Sequence, residues 1–233
     1  MLGEDKKRLS KRHAATSLNA YKEMGFTKET IINALALLGW STENEIFSID
    51  ELIESFKLEN VQKAAAVFDL KRFNWVSSQQ LGKLDENGFF EVIKPFMENE
   101  GVNEDYPNYK KILLAMRTSK TNLKDIAHAT RPFFFELDGY DEKGAKKFLN
   151  ESLDTLSFAL EVLSKLTEWN ETELDMALIK VRDYFNLPIP KVNQPMRIAL
   201  VGSTVSPSLG LTLELFGKEK SLERIQKAID FIS

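Results

Sequence analysis

The sequence predicts a mainly α protein, and three observations carry that prediction. Apolar residues recur at helical spacing in several stretches, helix-start signatures sit ahead of those stretches, and strand chemistry is scarce. With 11 glycines in 233 residues there is little material for tight hairpins.

Taken in chain order, the first clear start is Ser48-Ile-Asp-Glu51, which reads as a capping box with Phe47 and Leu52 at the staple positions. Phe89, Val92, Ile93 and Phe96 form a short stripe, and Pro95 is expected to kink or end its helix. Leu149, Leu153, Leu156, Leu160 and Leu163 step by 4, 3, 4 and 3, the buried face of one long helix. Asn170-Glu-Thr-Glu173 repeats the capping-box pattern ahead of Leu174, Leu178, Val181 and Phe185, with Trp169 and Leu174 as its staple. Leu222, Ile225, Ile229 and Ile232 close the series. Arg197-Ile-Ala-Leu-Val201 is open between a short strand and a helix, because Pro195 also suits a helix start. Gly217, between two helical patterns, reads as a helix C-terminal glycine rather than part of a phosphate loop: the spacing from Gly210 is wrong, and no Ser or Thr follows Lys218. Boundaries are suggested by the polar stretch Trp75–Gln80 and by Leu187-Pro-Ile-Pro190, a stiff connector.

Composition narrows the chemistry. Hydrophobic residues at 43% and charged residues at 28% exclude intrinsic disorder. The absence of cysteine excludes disulfides, thiol nucleophiles and thiolate-bound metals, and two histidines, His13 and His128, cannot build a histidine-rich zinc site, so no metal site is expected. There is no apolar run of membrane-helix length and no apolar signal core after Met1, so the expected location is the cytoplasm, with no membrane partner. The acidic pairs Asp50-Glu51 and Glu171/Glu173 fall at helix starts, where the dipole favours carboxylates, and do not read as general acid and base. A net charge of −4 leaves room for a local basic patch, and Lys6, Lys7, Arg8, Lys11 and Arg12 form one. That run fits phosphate binding and equally fits a solvated tail.

Read with its neighbours, the basic arm gains a meaning. Lys7-Arg-Leu-Ser-Lys-Arg-His13-Ala-Ala-Thr-Ser17 resembles the KMSKS loop of class I aminoacyl-tRNA synthetases in its glutamyl form. Asn33-Ala-Leu-Ala-Leu-Leu-Gly-Trp40-Ser41 is similar to a helix of the same family, as are Glu45–Ser48, Ala66–Asp69 and Asn74-Trp75. Gln194-Pro-Met-Arg197-Ile-Ala-Leu-Val-Gly202, Ser206-Pro207 and Leu215-Phe-Gly-Lys-Glu219 resemble its terminal anticodon-binding part. The resemblance runs from residue 3 to residue 232, and its specificity lies in the order and spacing of these motifs.

The resemblance to bacterial-type glutamyl-tRNA synthetases implies the C-terminal half of such an enzyme: a KMSKS loop and helical stem-contact region over 1–77, then an all-α anticodon-binding bundle or cage over 78–233, with a subdivision expected near 138–141. It implies ATP with Mg2+, L-glutamate and tRNA(Glu) as the partners of the full-length ligase, with tRNA(Gln) as a second candidate, and a monomer. Lys11 matches the mobile lysine that stabilises charge on departing pyrophosphate, Ser10 the loop serine, and Arg8 the first cation of the signature, where lysine is commoner. Ala14 stands where the family usually has glycine. Arg197 matches the arginine that reads an anticodon base, with Ser206 and Leu209 at neighbouring contact positions. A plain surface role is the other reading of Arg197, and a plain core role that of Leu209. Discriminating members carry an arginine near Met116-Arg117-Thr118-Ser119-Lys120; here the position holds Ser119, or Thr118 with a one-residue gap, and Arg117 stands beside it. The nucleotide-binding domain precedes this region in the family, so the chain alone is expected to be inactive. The alternative function is a stand-alone helical module that binds tRNA or protein.

Overall fold

The structure, a computed structural model, describes residues 17–40, 42, 44–62 and 67–233. It is built from helices, and among the described residues extended pairing goes no further than isolated bridges such as Trp40 with Val61. Contacts divide the chain into two compact units. One holds the described residues up to Glu104 with Lys120–Ala129, and the other holds Asp105–Ser119 with Thr130–Ser233.

In the first unit, α1 (Leu18–Glu23), α2 (Lys28–Leu37), α3 (Ile49–Ser55), α4 (Leu70–Lys83) and α5 (Glu86–Asn99) follow in order. Each is started by a side chain that accepts from an orphan backbone N–H: Ser17, Thr27, Ser48, Asp69 and Asp85. The Ser48–Glu51 box is complete in both directions, with Glu51 N–H donating to Ser48 Oγ at 3.1 Å and Ser48 N–H to Glu51 Oε2 at 2.7 Å. A small aromatic core joins α1, α2 and α4, in which Phe26 and Phe73 meet edge to face at 4.7 Å and Tyr21 lies 5.0 Å from Phe73. Gly25, at φ +85°, lets Leu123 N–H donate to its carbonyl at 2.9 Å; a Cβ there would lie 2.5 Å from Lys124 N.

Beneath the segment 45–47 lies a buried polar clamp. Asn33 Nδ2 donates to the Glu45 carbonyl, Asn33 Oδ1 accepts from Phe47 N–H and from Gln80 Nε2, and Gln80 Nε2 also donates to the Phe47 carbonyl, over 2.7–3.1 Å. Two helices, α2 and α4, thereby fix a segment that has no regular structure of its own.

In the second unit, α6 (Tyr109–Met116) and the C-terminal part of α7 (Leu123–Phe134) precede one helical turn, α8 (Glu142–Gly144), and a π-helical turn over Ala145–Leu149. Then come α9 (Leu153–Ser164), α10 (Glu171–Phe185), α11 (Ile189–Val201), α12 (Leu209–Phe216) and α13 (Lys218–Ile232) around one apolar core. Gly217, at φ +77°, ends α12 and turns directly into α13, as a helix-end glycine should. At Asn170 half of the expected box forms, with Glu173 N–H donating to Asn170 Oδ1 at 3.0 Å.

Four sequence expectations change here. The leucine stripe is not one long helix: the π turn ends at Leu149, the chain breaks over 150–152, and α9 restarts at Leu153, which is exposed while Leu149, Leu156 and Leu163 are buried. Pro95 lies inside α5 without ending it, since the helix runs on to Asn99. The polar stretch Trp75–Gln80 is not a loop but the middle of α4, with Val76, Ser77 and Gln80 buried. Leu187–Pro190 is a helix entry, with Pro188 at the N-cap and Pro190 in the first turn of α11, and Arg197–Val201 is helical.

Candidate nucleic-acid interface

The region around Arg197 is built by α11, α12 and the 203–208 connection. The sequence Ile198-Ala-Leu-Val201 buries four consecutive residues, so α11 is packed on every side near its C-terminus, and Arg197, on the preceding turn, is the residue that still reaches the surface. Gly202 turns the chain through φ +72° out of the helix. The chain then folds back so that Arg197 Nη1 donates to the Ser206 carbonyl at 2.8 Å, to the Pro207 carbonyl at 2.6 Å and to Ser206 Oγ. Thr212 Oγ1 donates to Ser206 Oγ at 3.1 Å, and Ser208 starts α12 while its hydroxyl donates to Glu171 at 2.5 Å.

All of these bonds use one nitrogen of the guanidinium. Nε and Nη2 of Arg197 make no hydrogen bond among the described residues, and the side chain is partly exposed. Partial burial lowers the arginine's pKa from its ordinary value, and the group stays cationic. A planar fork with one edge tied down and the other unspent is a pre-organised donor for a carbonyl or ring nitrogen. Ser206 faces the same place; Leu209, by contrast, is a core residue at the first turn of α12, 3% exposed.

Arg117 is the C-cap of α6, and Ser119 follows in the turn, its N–H donating to the Met116 carbonyl at 2.9 Å and its Oγ buried without a hydrogen-bond partner. Lys11, Ser10 and Arg8 lie outside the described residues, as does His13. His128 is an exposed surface histidine, its Nδ1 3.5 Å from Glu100 Oε1. Among the described residues no group of three or more acidic or histidine side chains could hold a metal ion, and no helix is long and apolar enough to cross a membrane.

One contributor escapes a sequence reading altogether. Arg224 of α13 is 1% exposed, donates from Nη1 to the Leu200 carbonyl and from Nη2 to the Phe135 carbonyl at 2.7 Å, and lies over the Phe216 ring at 4.5 Å. It satisfies carbonyls at or just past the C-terminal ends of α11 and α7, where orphan acceptors and the negative dipole end both call for a cation. In the sequence it falls between Leu222 and Ile225, inside an apolar stripe, and nothing local marks it as buried.

The comparisons with known proteins agree with the motif order. Residues 88–229 match the family model described as "Anticodon binding domain". The chain belongs to the anticodon-binding domain family. Residues 1–75 match a second model, "tRNA synthetases class I (E and Q), catalytic domain". Among curated relatives, glutamate–tRNA ligase of Thermodesulfovibrio yellowstonii is 35% identical over 99% of this chain and 51% of its own length. Glutamate–tRNA ligase 1 of Syntrophus aciditrophicus is 37% identical over 100% of this chain and 50% of its own. A crystal structure of a glutamate–tRNA ligase from Elizabethkingia meningosepticum superposes on the whole chain with a TM-score of 0.80 at 28% identity, covering 50% of that protein. The chain thus spans about half the length of the relatives it matches, and the resemblance to glutamyl-tRNA synthetases holds over all of it.

Proposed function

We propose that this chain is the tRNA-binding part of an ATP-dependent glutamate–tRNA ligase, a cytoplasmic monomer that attaches L-glutamate to tRNA(Glu). In this reading residues 1–77 carry the KMSKS loop and the stem contact, and residues 78–233 read the anticodon arm. Lys11, with Ser10 and Arg8, acts on the phosphates of ATP as substrate, its magnesium arriving with the nucleotide. The half-engaged fork of Arg197 is the observation that carries the proposal. Anticodon bases are unstacked and present their edges, and a guanidinium already fixed on one side gives up little entropy to meet them. Ser206 holds that fork and stands beside it, while Leu209 supports the turn from within the core. Ser119, or Thr118 with a one-residue gap, stands where discriminating relatives place an arginine, with Arg117 beside it, and the missing arginine fits an enzyme that accepts tRNA(Gln) as well.

The test is equilibrium binding of the intact chain to tRNA(Glu) and to anticodon-substituted tRNA. Arg197→Ala is expected to cost roughly 1–3 kcal/mol against tRNA(Glu) and to flatten the difference between the two RNAs. Arg197→Lys should recover affinity but not discrimination, because an ammonium has no planar fork. Equal weakening of both RNAs that disappears at high salt would reduce Arg197 to a phosphate contact. Failure to bind tRNA at low salt would favour the protein-binding adaptor.

A further inference from the structure

The turn that presents Arg197 lacks the charge usual at a surface that meets RNA. From Ile198 to Gly217 there is no lysine or arginine, so Arg197 is the last cation before Lys218. The entry and first turns of α10, residues 168–176, hold Glu168, Glu171, Glu173 and Asp175 and no cation. Two of these carboxylates reach the turn. Glu171 Oε1 accepts from Ser208 Oγ at 2.5 Å, one residue beyond the Pro207 carbonyl that accepts from Arg197. Asp175 lies against Gly210 in the first turn of α12, so close that a Cβ on Gly210 would stand 2.5 Å from Asp175 Oδ1. Asp175 is exposed and Glu171 half-buried, and neither has an ion-pair partner among the described residues. Glu214, the carboxylate of α12 itself, is held by Lys111 at 3.0 Å and accepts from Glu171 N–H at 2.8 Å.

An arginine that meets RNA has a stronger partner than a base edge. Its fork matches a phosphate in shape and charge, and at nucleic-acid interfaces the larger share of contacts goes to the backbone. A phosphate approaching the Nε–Nη2 edge of Arg197 would enter the field of two carboxylates that touch the same turn, and like charges at that range repel. A base edge offers carbonyl and ring-nitrogen acceptors with no net charge, and it escapes that repulsion. Rejecting the wrong occupant separates ligands as well as attracting the right one does. Gly210 belongs to the same arrangement, because a larger residue there would displace the Asp175 carboxylate.

We infer that Glu171 and Asp175 are specificity-determining residues of the anticodon site: their charge keeps the RNA backbone off Arg197 and leaves its open edge to a base. The inference rests on the functional reading above, and it names what makes an arginine there read sequence and not merely phosphate.

The test compares the unaltered chain with Glu171→Gln/Asp175→Asn in binding to tRNA(Glu) and to anticodon-substituted tRNA across a salt series. Both changes keep side-chain size, and a glutamine at 171 can still accept from Ser208. Removing the two charges is expected to tighten the anticodon-substituted RNA about tenfold at low salt and tRNA(Glu) less, so that the ratio between them narrows roughly three- to tenfold. The slope of log affinity against log salt should steepen by about one, the mark of one added phosphate contact. In an Arg197→Ala background the same pair of changes should no longer steepen it, since the phosphate would have lost its guanidinium. An unchanged ratio and slope would overturn the inference. So would an equal loss of affinity for both RNAs, which would make the carboxylates supports of the turn and nothing more. Should the double variant fail to fold, Asp175→Asn alone, on an exposed side chain with no hydrogen bond among the described residues, decides by the same ratio. An unaltered chain that does not separate the two RNAs overturns the functional reading and the inference with it. One that separates them, beside a neutralised chain that separates them equally well, overturns the inference alone.

Discussion

The α2–α4 region and the α9–α13 region reach order by opposite means. Around α9–α13, five helices close on a core in which Leu149, Leu156, Leu163, Leu174, Met196 and Ile225 are fully buried. Around α2–α4, the apolar cluster of Phe26, Ala34, Phe73 and Val76 is small among the described residues, and an amide clamp of Asn33 and Gln80 holds the irregular segment 45–47 in place. Burial of apolar area is non-directional and tolerates repacking, whereas a buried amide network specifies one geometry and penalises any missing member. The second region is therefore expected to be the stiffer and more stable part, and the first the part whose shape depends on a few polar side chains.

The largest expected effect tests the apolar side of that contrast. Leu156→Ala removes a fully buried side chain from α9 and should cost roughly 2–5 kcal/mol in chemical denaturation of the intact chain. A loss below about 1 kcal/mol would mean that this core relaxes around the cavity and is less rigid than its packing implies.

Next in size is the clamp. Asn33→Ala leaves Phe47 N–H without its acceptor and Gln80 Nε2 short of one of its two, and should cost about 1–3 kcal/mol, read by hydrogen exchange at residues 45–48. Combining it with Gln80→Ala should cost less than the two losses added together, because they share a network. Strict additivity would show that the amides act as independent contacts.

The smallest effect lies on the surface of the second region. Glu136 accepts from Lys220 at 2.5 Å and from Lys227 at 3.2 Å, and these bonds lower its carboxyl from 4.5 to about 2. A carboxyl lowered on folding stabilises the fold fully above its unfolded value, and that contribution is lost as pH falls from about 4.5 towards 2. Glu136→Gln should flatten this part of the stability–pH curve. Because the pair is half exposed, added salt should shrink the difference between the two proteins.

How much of this could be read from residues alone follows the same division. The helices of the second region were legible wherever one face is buried, as in Leu174, Leu178 and Val181, and where a cap is local, as at Ser48. Periodicity failed at Ile198–Val201, because a helix buried on all sides shows no polar face and looks like a strand. It failed at 150–152 as well, where the π turn keeps the leucines in step across a break. Pro95 does not end α5, and its missing N–H falls on an exposed face of the helix. Of the candidate interface, Arg197 and Ser206 were named from motif order and do come together, while Leu209, for which a plain core role was the other reading, is buried. Glu171 and Arg224, which hold that turn and the helix leading into it, depend on contacts across long sequence separations and leave no local pattern.

Arg224 also has a mechanical meaning. Its two terminal nitrogens are each spent on a backbone carbonyl of a different segment, so the exit of α11, the exit of α7 and the body of α13 are cross-linked by a strut that cannot titrate away at any physiological pH. The 203–208 turn starts three residues beyond the Leu200 end of that strut. To swing the turn outward, the molecule must either break a charge-assisted bond in a dry interior or carry all three segments together. The turn that presents Arg197 therefore moves as a bracket bolted to its wall and not as a hinged flap, which fits a task of gauging the shape of a base with little give.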